Sequence, residues 1–259
     1  MTIIALTRPV SSSLPRCEIS FIERQPIDVD LARRQHAAYE AALERAGARV
    51  VRVPAADEHP DASFIEDTAV VLDELAVIPI MGAPSRRGET VEVERCLATY
   101  RPAVRLTAPA TLDGGDVKRA ERTIVVGLTA RTNRAAAEQL RTLTRRHGYE
   151  VIPVVPTNCL HLKSACTYLG RGVVLANPAW IDTSCLRGFE ILPVAPEEPF
   201  GANAVAVCGK LLYATGFPKT QERLERRGFE VITVETSELR KAESAMTCMS
   251  LVFEAQLRA

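Results

Sequence analysis

Five loops of this 259-residue chain carry side chains able to do chemistry, and they recur at near-constant spacing. They hold Glu66-Asp67, Asp113-Gly114-Gly115-Asp116, His161, Asn203 and Cys248, with steps from Glu66 onward of 47, 48, 42 and 45 residues. A lone cysteine is most often a small core hydrophobe, and a lone Asp-Gly-Gly a tight turn. A single repeat position holding carboxylates, an imidazole, an amide and a thiol asks for another explanation, because such convergence marks functional clefts. Cysteine with histidine is a nucleophile beside its proton carrier, and Asp113 is an acid that can orient the imidazole. Glu66 and Asp67 pose a conflict, since negative charge raises a thiol pKa above about 8.5 and opposes attack on a neutral acyl group. A planar guanidinium removes the conflict. It pairs with the carboxylates, stabilises the thiolate as it arrives, and offers its central carbon as electrophile. The chemistry predicted is guanidine hydrolysis through a covalent amidino-cysteine. His161 protonates the leaving amine and then activates water.

The elements that must position these loops form an internal repeat. β-Branched strands are expected at 48–54, 103–109, 149–156, 189–194 and 229–234. Gly47, Gly148, Gly188 and Gly228 stand before four of them, as helix C-caps do. Helical stretches are expected over 31–46, 134–147 and 220–227, with a weak fourth near 180–187. Each chemical loop opens a hairpin: 68–72 with 76–80, 116–117 with 123–127, 165–169 with 173–175, and 204–207 with 211–213. The fifth hairpin, begun by Leu251-Val252-Phe253, lacks a return strand, and Ile3-Ile4-Ala5-Leu6 can supply it. A mixed unit repeated five times and closed terminus to terminus predicts a single α/β domain over 1–259, a ring of ββαβ blades around an axis.

Composition narrows the class. The formal net charge is zero, 47% of residues are hydrophobic and 25% charged. Bulk charge therefore offers nothing to nucleic acid, and no apolar run reaches the length of a membrane span. The expected partner is a small molecule, with no nucleic acid and no membrane; oligomeric state stays open, a homodimer included. Seven cysteines without C-x-x-C spacing disfavour a disulfide framework and a structural zinc site. With no basic start to a signal peptide, a reducing cytoplasm is the expected setting. Three of the four histidines, His36, His59 and His147, have ordinary helix or loop positions.

At these residues the chain resembles the dimethylarginine dimethylaminohydrolases, of the guanidino-group-modifying superfamily, whose fold is the five-bladed β/α propeller (pentein). The motifs run nearly end to end. They include Phe64-Ile65-Glu66-Asp67-Thr68, Gly82-Ala83-Pro84-Ser85-Arg86-Arg87, Leu112-Asp113-Gly114-Gly115-Asp116, Gly127 to Asn133, Leu160-His161-Leu162-Lys163-Ser164 and Thr247-Cys248-Met249-Ser250. The resemblance implies Cys248 as nucleophile, His161 as acid and base, and Asp113 as its carboxylate partner. It implies Asp67, with Glu66 beside it, at the guanidinium. Arg86 and Arg131 would hold a substrate α-carboxylate, and Asp61 the α-amine. Ile19, in a lid loop over Ser11 to Ser20, and Ala242 would offer backbone carbonyls. The implied reaction turns Nω-methylated arginine and water into citrulline and a methylamine, with no cofactor and no metal. Three rivals stay open. An arginine deiminase usually carries a helical insertion for which 259 residues leave no room. An amidinotransferase is usually longer. A silent arginine-binding protein would need no thiol.

Overall fold

The computed structural model describes residues 1–256. In chain order the elements are β1 (Thr2–Thr7), α1 (Val29–Ala46), β2 (Arg49–Arg52), β3 (Val70–Val71), β4 (Ala76–Ile78), α2 (Thr90–Leu97) and β5 (Ala103–Arg105). There follow β6 (Val117–Ala120), β7 (Thr123–Gly127), α3 (Arg134–Thr144), β8 (Glu150–Val154), α4 (Leu162–Ala165), β9 (Cys166–Gly170), β10 (Val173–Ala176) and β11 (Glu190–Pro193). The chain ends with β12 (Ala204–Val207), β13 (Lys210–Ala214), α5 (Pro218–Arg226), β14 (Glu230–Val234), α6 (Ser237–Arg240) and β15 (Leu251–Ala255).

These strands form five three-stranded sheets. In each, the middle strand pairs antiparallel with one neighbour and parallel with the other. Parallel pairing of neighbours demands a crossover, and a helix supplies it in most blades. The helices form where the sequence lacks breakers and carries caps. Asp28 caps α1 by accepting from the Leu31 amide at 2.9 Å, and Gly47 ends it at φ 108°, a left-handed conformation that side chains oppose. The α1 face that points inward holds Ala32, Tyr39, Leu43 and Ala46, spaced for one side of a helix. The weak fourth helix is only a 3-10 turn, Thr183–Leu186, and α2 is a helix that the sequence pattern did not single out.

The ring closes as expected. In the fifth sheet β1 lies between β15 and β2, so N- and C-terminal strands share one blade. Ile4 pairs with Phe253 on one side and Arg49 on the other. The first strand of each blade faces the axis, and the loops entering those strands gather at one end of it. That end is where a side chain recurring once per blade meets its four counterparts.

Ile4 is fully buried in the seam that joins both ends of the chain. Ile4→Ala should lower unfolding free energy by about 2–5 kcal/mol, measured by urea denaturation. A loss below about 1 kcal/mol would mean that the closing blade is not held by this packing.

Candidate active site

Three short 3-10 turns and the start of α4 carry the chemical loops: Ile65–Thr68, Gly114–Asp116, Met246–Met249 and Leu162–Ala165. Asn203 stands just before β12. The loops bond to one another around the axis. Asn203 donates through Nδ2 to the Lys163 carbonyl at 2.9 Å and to Thr247 Oγ1 at 3.0 Å, and accepts the Thr247 amide at 2.9 Å. Thr247 Oγ1 donates to Glu66 Oε2 at 2.6 Å, and Lys163 Nζ sits 2.6 Å from Glu66 Oε1. Thr247 beside Cys248 and Lys163 near His161 are therefore fixed from two other blades.

His161 is buried, with Nε2 3.2 Å from Asp113 Oδ2 and Nδ1 3.8 Å from Asp67 Oδ1. Burial alone would lower the imidazole pKa, but Asp67 and the hydrogen bond to Asp113 overcome it and push the pKa up to about 9. Asp113 has no exposed surface; its Oδ1 accepts the Gly82 amide at 2.9 Å and its own amide donates to Thr132 Oγ1 at 3.1 Å. Asp67 is likewise buried. Its Oδ1 accepts the Gly115 amide at 2.9 Å and its Oδ2 accepts from Arg86 Nη1 at 2.7 Å. Desolvation resists its charge, yet His161 and Arg86 hold the carboxyl down at about 2. Gly115 shows why this loop has no side chain. A Cβ there would stand 2.7 Å from both Asp67 Oδ1 and His161 Nδ1.

Cys248 is partly buried, and its sulfur accepts the Ala245 amide at 3.4 Å. Burial, then the charges of Glu66 and Asp67, push the thiol up to about 12, against the weaker pull of the Ala245 amide and Lys163. Cys248, His161, Asp67, Arg86, Arg131 and Asp61 line one narrow cavity of about 20 Å³. Ala242 lines it too. One donor atom each from Asp67, Asp113 and His161 lies within 4.8 Å of the others, a cluster suited to a cation. A methylene-bearing guanidinium meets that requirement without a metal ion.

Several expected residues sit differently from the sequence reading. Glu66, placed beside Asp67 at the guanidinium, turns its carboxylate away from this cavity to Lys163 and Thr247, on the wall of a larger axial cavity. Consecutive residues of a 3-10 turn point about 120° apart, so both acids cannot face one side. Arg86, expected on a substrate carboxylate, already binds Glu89 through Nε at 3.0 Å and Nη2 at 2.9 Å, Asp67 through Nη1, and the Phe64 carbonyl at 3.1 Å. Its guanidinium is largely spent on holding Asp67. Arg131 is freer, with Nη1 3.7 Å from Asp113 Oδ2 and Nη2 donating to Ser20 Oγ at 3.4 Å. Asp61 accepts the Glu18 amide at 3.1 Å, and burial raises its pKa to about 6 despite Arg86. Ile19 does not line the cavity; it packs partly buried against the core cluster that includes Cys17 and Ala242.

Two further residues position the site: Asp116, which the sequence reading put in a turn of a chemical loop, and Glu243, which escaped it. Asp116 accepts the Leu162 amide at 3.0 Å and Thr129 Oγ1 at 2.6 Å, which fixes the start of α4 directly after His161. Glu243, at φ 55°, accepts the amides of Ser20 at 3.0 Å, Ile22 at 2.8 Å and Phe21, and so ties the lid loop across the cavity. A signal for Asp116 was present in its repeat position; Glu243 had none, since it depends on a left-handed backbone at a non-glycine residue.

No protein-family model matches the chain. The chain is 40% identical over 249 residues, 95% of its own length and 95% of the relative's, to N(G),N(G)-dimethylarginine dimethylaminohydrolase of Streptomyces coelicolor. It is 33% identical to the enzyme of that name from Pseudomonas aeruginosa over 228 residues, covering 87% of this chain and 90% of the relative. Among solved structures it superposes with TM-score 0.93 and 31% identity on a mutant of the Pseudomonas aeruginosa protein complexed with citrulline, covering 98% of this chain and all of that one.

Asp67→Asn removes the charge that raises the imidazole pKa most. The His161 pKa should fall from about 9 toward the ordinary value near 6.5, followed by NMR titration of the ring. An unchanged midpoint would remove Asp67 as the source of the shift.

Proposed function

Because the chain belongs to the dimethylarginine dimethylaminohydrolase family, we propose that this one cavity hydrolyses Nω-methylated L-arginine to L-citrulline and a methylamine. The observation that carries the reading is the meeting of Cys248, His161 and Asp67 in one lidded cavity, with Asp113 behind the imidazole. Four blades supply its side chains, and Asn203 of the remaining blade ties two of their loops together.

The guanidinium docks flat against Asp67, whose charge Arg86 and Gly115 hold in place. Arg131 takes the substrate α-carboxylate and Asp61 the α-amine, with Arg86 contributing at most its remaining N–H. The arriving positive charge offsets the acids that raise the thiol pKa, so the Cys248 proton is lost to solvent as the substrate binds. The Cys248 sulfur bonds to the guanidinium carbon. Imidazolium at His161, kept charged by Asp67 and Asp113, gives its proton to the substituted nitrogen, and the carbon–nitrogen bond breaks to release the methylamine. What remains is an amidino group on sulfur. His161, now neutral, takes a proton from water; the hydroxide adds to the same carbon, the carbon–sulfur bond breaks, and citrulline leaves with the thiol restored. General acid–base help of this type is typically worth about a hundred- to ten-thousand-fold. The fold supplies the charge balance that a metal would supply elsewhere.

Cys248→Ser should abolish citrulline release while dimethylarginine binding stays measurable by calorimetry. Mass spectrometry of wild-type enzyme quenched during turnover should show an amidino adduct on the peptide containing Cys248. Unchanged turnover in the serine variant rejects the assignment.

The pH profile follows from the order of the two pKa values. In the free protein the imidazole titrates at about 9 and the thiol at about 12, so the reactive thiolate–imidazolium pair is a minor form. Below pH 9 both groups are protonated, and each unit of acidification removes about ten-fold of that form. Above it, loss of imidazolium is offset by gain of thiolate. Stopped assays of citrulline formation should therefore show kcat/KM rising up to about pH 9 and then levelling. A profile that peaks near pH 6 and falls by pH 8 would contradict this pairing.

A further inference from the structure

Behind the lidded site lies a second cavity of about 480 Å³ that the reaction does not use. It is the axial channel, walled by the inner strands of the blades from Val70 round to Leu251. Glu66, Lys163 and Thr247 form its floor and separate it from the thiol. A volume of this size is in the range of small-molecule sites, about 300–1,000 Å³.

Its charges are sorted by depth. Asp73, Glu121 and Glu254 are exposed residues at the rim, where Asp73 is taken by Arg119 at 2.5 Å and Glu121 accepts the Tyr168 hydroxyl at 3.0 Å. Inside, Glu66 is a single carboxylate facing two cations, Lys163 and Lys118, and Lys163 already holds it. Among the described residues Lys118 Nζ has no hydrogen-bond or ion-pair partner. At the rim, Arg101 is 8% exposed, lies 4.6 Å over the Phe253 ring, and gives its terminal nitrogens to the carbonyls of Leu72 and Glu254. Among the described residues its Nε is buried without an acceptor and no carboxylate reaches ion-pair distance, with Asp73 offsetting part of its charge from farther away. Lys118 is half-buried, and an anion brought beside its ammonium would supply the counter-charge that Glu66 gives to Lys163. Burial, then Lys163, push the Lys118 pKa down to about 8.

We propose that the axial channel is a binding site for a small dianion, a phosphate or a dicarboxylate, held by Lys118 beside Lys163. Lys118 offers three N–H donors, and both anions fit the channel with water to spare. Such a ligand would share Lys163 with Glu66 from behind the site and would never meet Cys248.

Calorimetric titration of the full chain with inorganic phosphate, and separately with succinate, each matched in ionic strength by sodium chloride, tests this. At least one should give saturable one-site heat, and which one does so identifies the ligand class. Lys118→Met should weaken that binding at least about ten-fold, and Lys118→Arg should retain it to within about three-fold. Independently of any variant, the bound anion should protect Lys118 of the wild-type protein from reductive methylation mapped by mass spectrometry. Heat no greater than with chloride for both anions, unchanged affinity in Lys118→Met, or loss of binding on Arg131→Ala, which would move the anion to the front cavity, each overturns the proposal. None of these readouts depends on turnover.

Discussion

A carboxylate with almost no access to water must be paired or it will take up a proton. Asp67 is such a group, and the front cavity is arranged around keeping it charged. Arg86 gives one hydrogen bond, Gly115 another, and His161 stands 3.8 Å away as a cation. Each partner is itself fixed. Glu89 grips Arg86 from behind, and Asp113 grips His161 from the far side. One buried negative charge thus determines why a glycine is needed at 115, why an arginine is spent on structure, and why an imidazole in a dry site stays protonated near neutrality.

The same charge sets the chemistry. A thiol pushed up to about 12 is inert toward neutral molecules, which protects it when no substrate is bound. A guest with a delocalised positive charge reverses the local field and creates its own nucleophile. Selectivity for guanidines and activation of sulfur are then one event, since the interaction that recognises the ligand also lowers the cost of the thiolate. A cavity as small as about 20 Å³ under a loop tied by Glu243 adds that the ligand must enter through an opened lid.

Much of this was legible in the sequence because the fold repeats. The five outer strands, three of the helices and the hairpins have local signatures in β-branched runs, Ala- and Glu-rich stretches and capping glycines. Closure by Ile3 to Leu6 followed from a hairpin without a return strand, and β1 does pair with β15. The steps of 42 to 48 residues pointed to the loops that meet at the axis, even for positions as far apart as Glu66 and Cys248. Direction was not legible. Glu66 and Asp67 are adjacent, and whether one or both face the cavity depends on a 3-10 turn rather than on a strand or an extended loop. The commitment of Arg86 was hidden as well, because Glu89 looks like a surface acid until the chain folds it, 1% exposed, against the guanidinium. The helix α2 was missed since its short amphipathic stretch follows two arginines and a glycine that read as loop.

The turning of Glu66 has a consequence for the balance of the front cavity. Had its carboxylate joined Asp67 and Asp113 there, a third buried acid would face the substrate without the partner that Lys163 gives it, and would be driven to protonate. Lys163 instead neutralises Glu66 on the far side of the wall at 2.6 Å, while Thr247 carries a hydrogen bond from that pair to the backbone beside Cys248. The acid still raises the thiol pKa through the wall but does not compete for the substrate. Position along a five-fold axis therefore does two tasks with one repeated loop: alternate residues of a tight turn serve the reacting face and the ring that holds it in place.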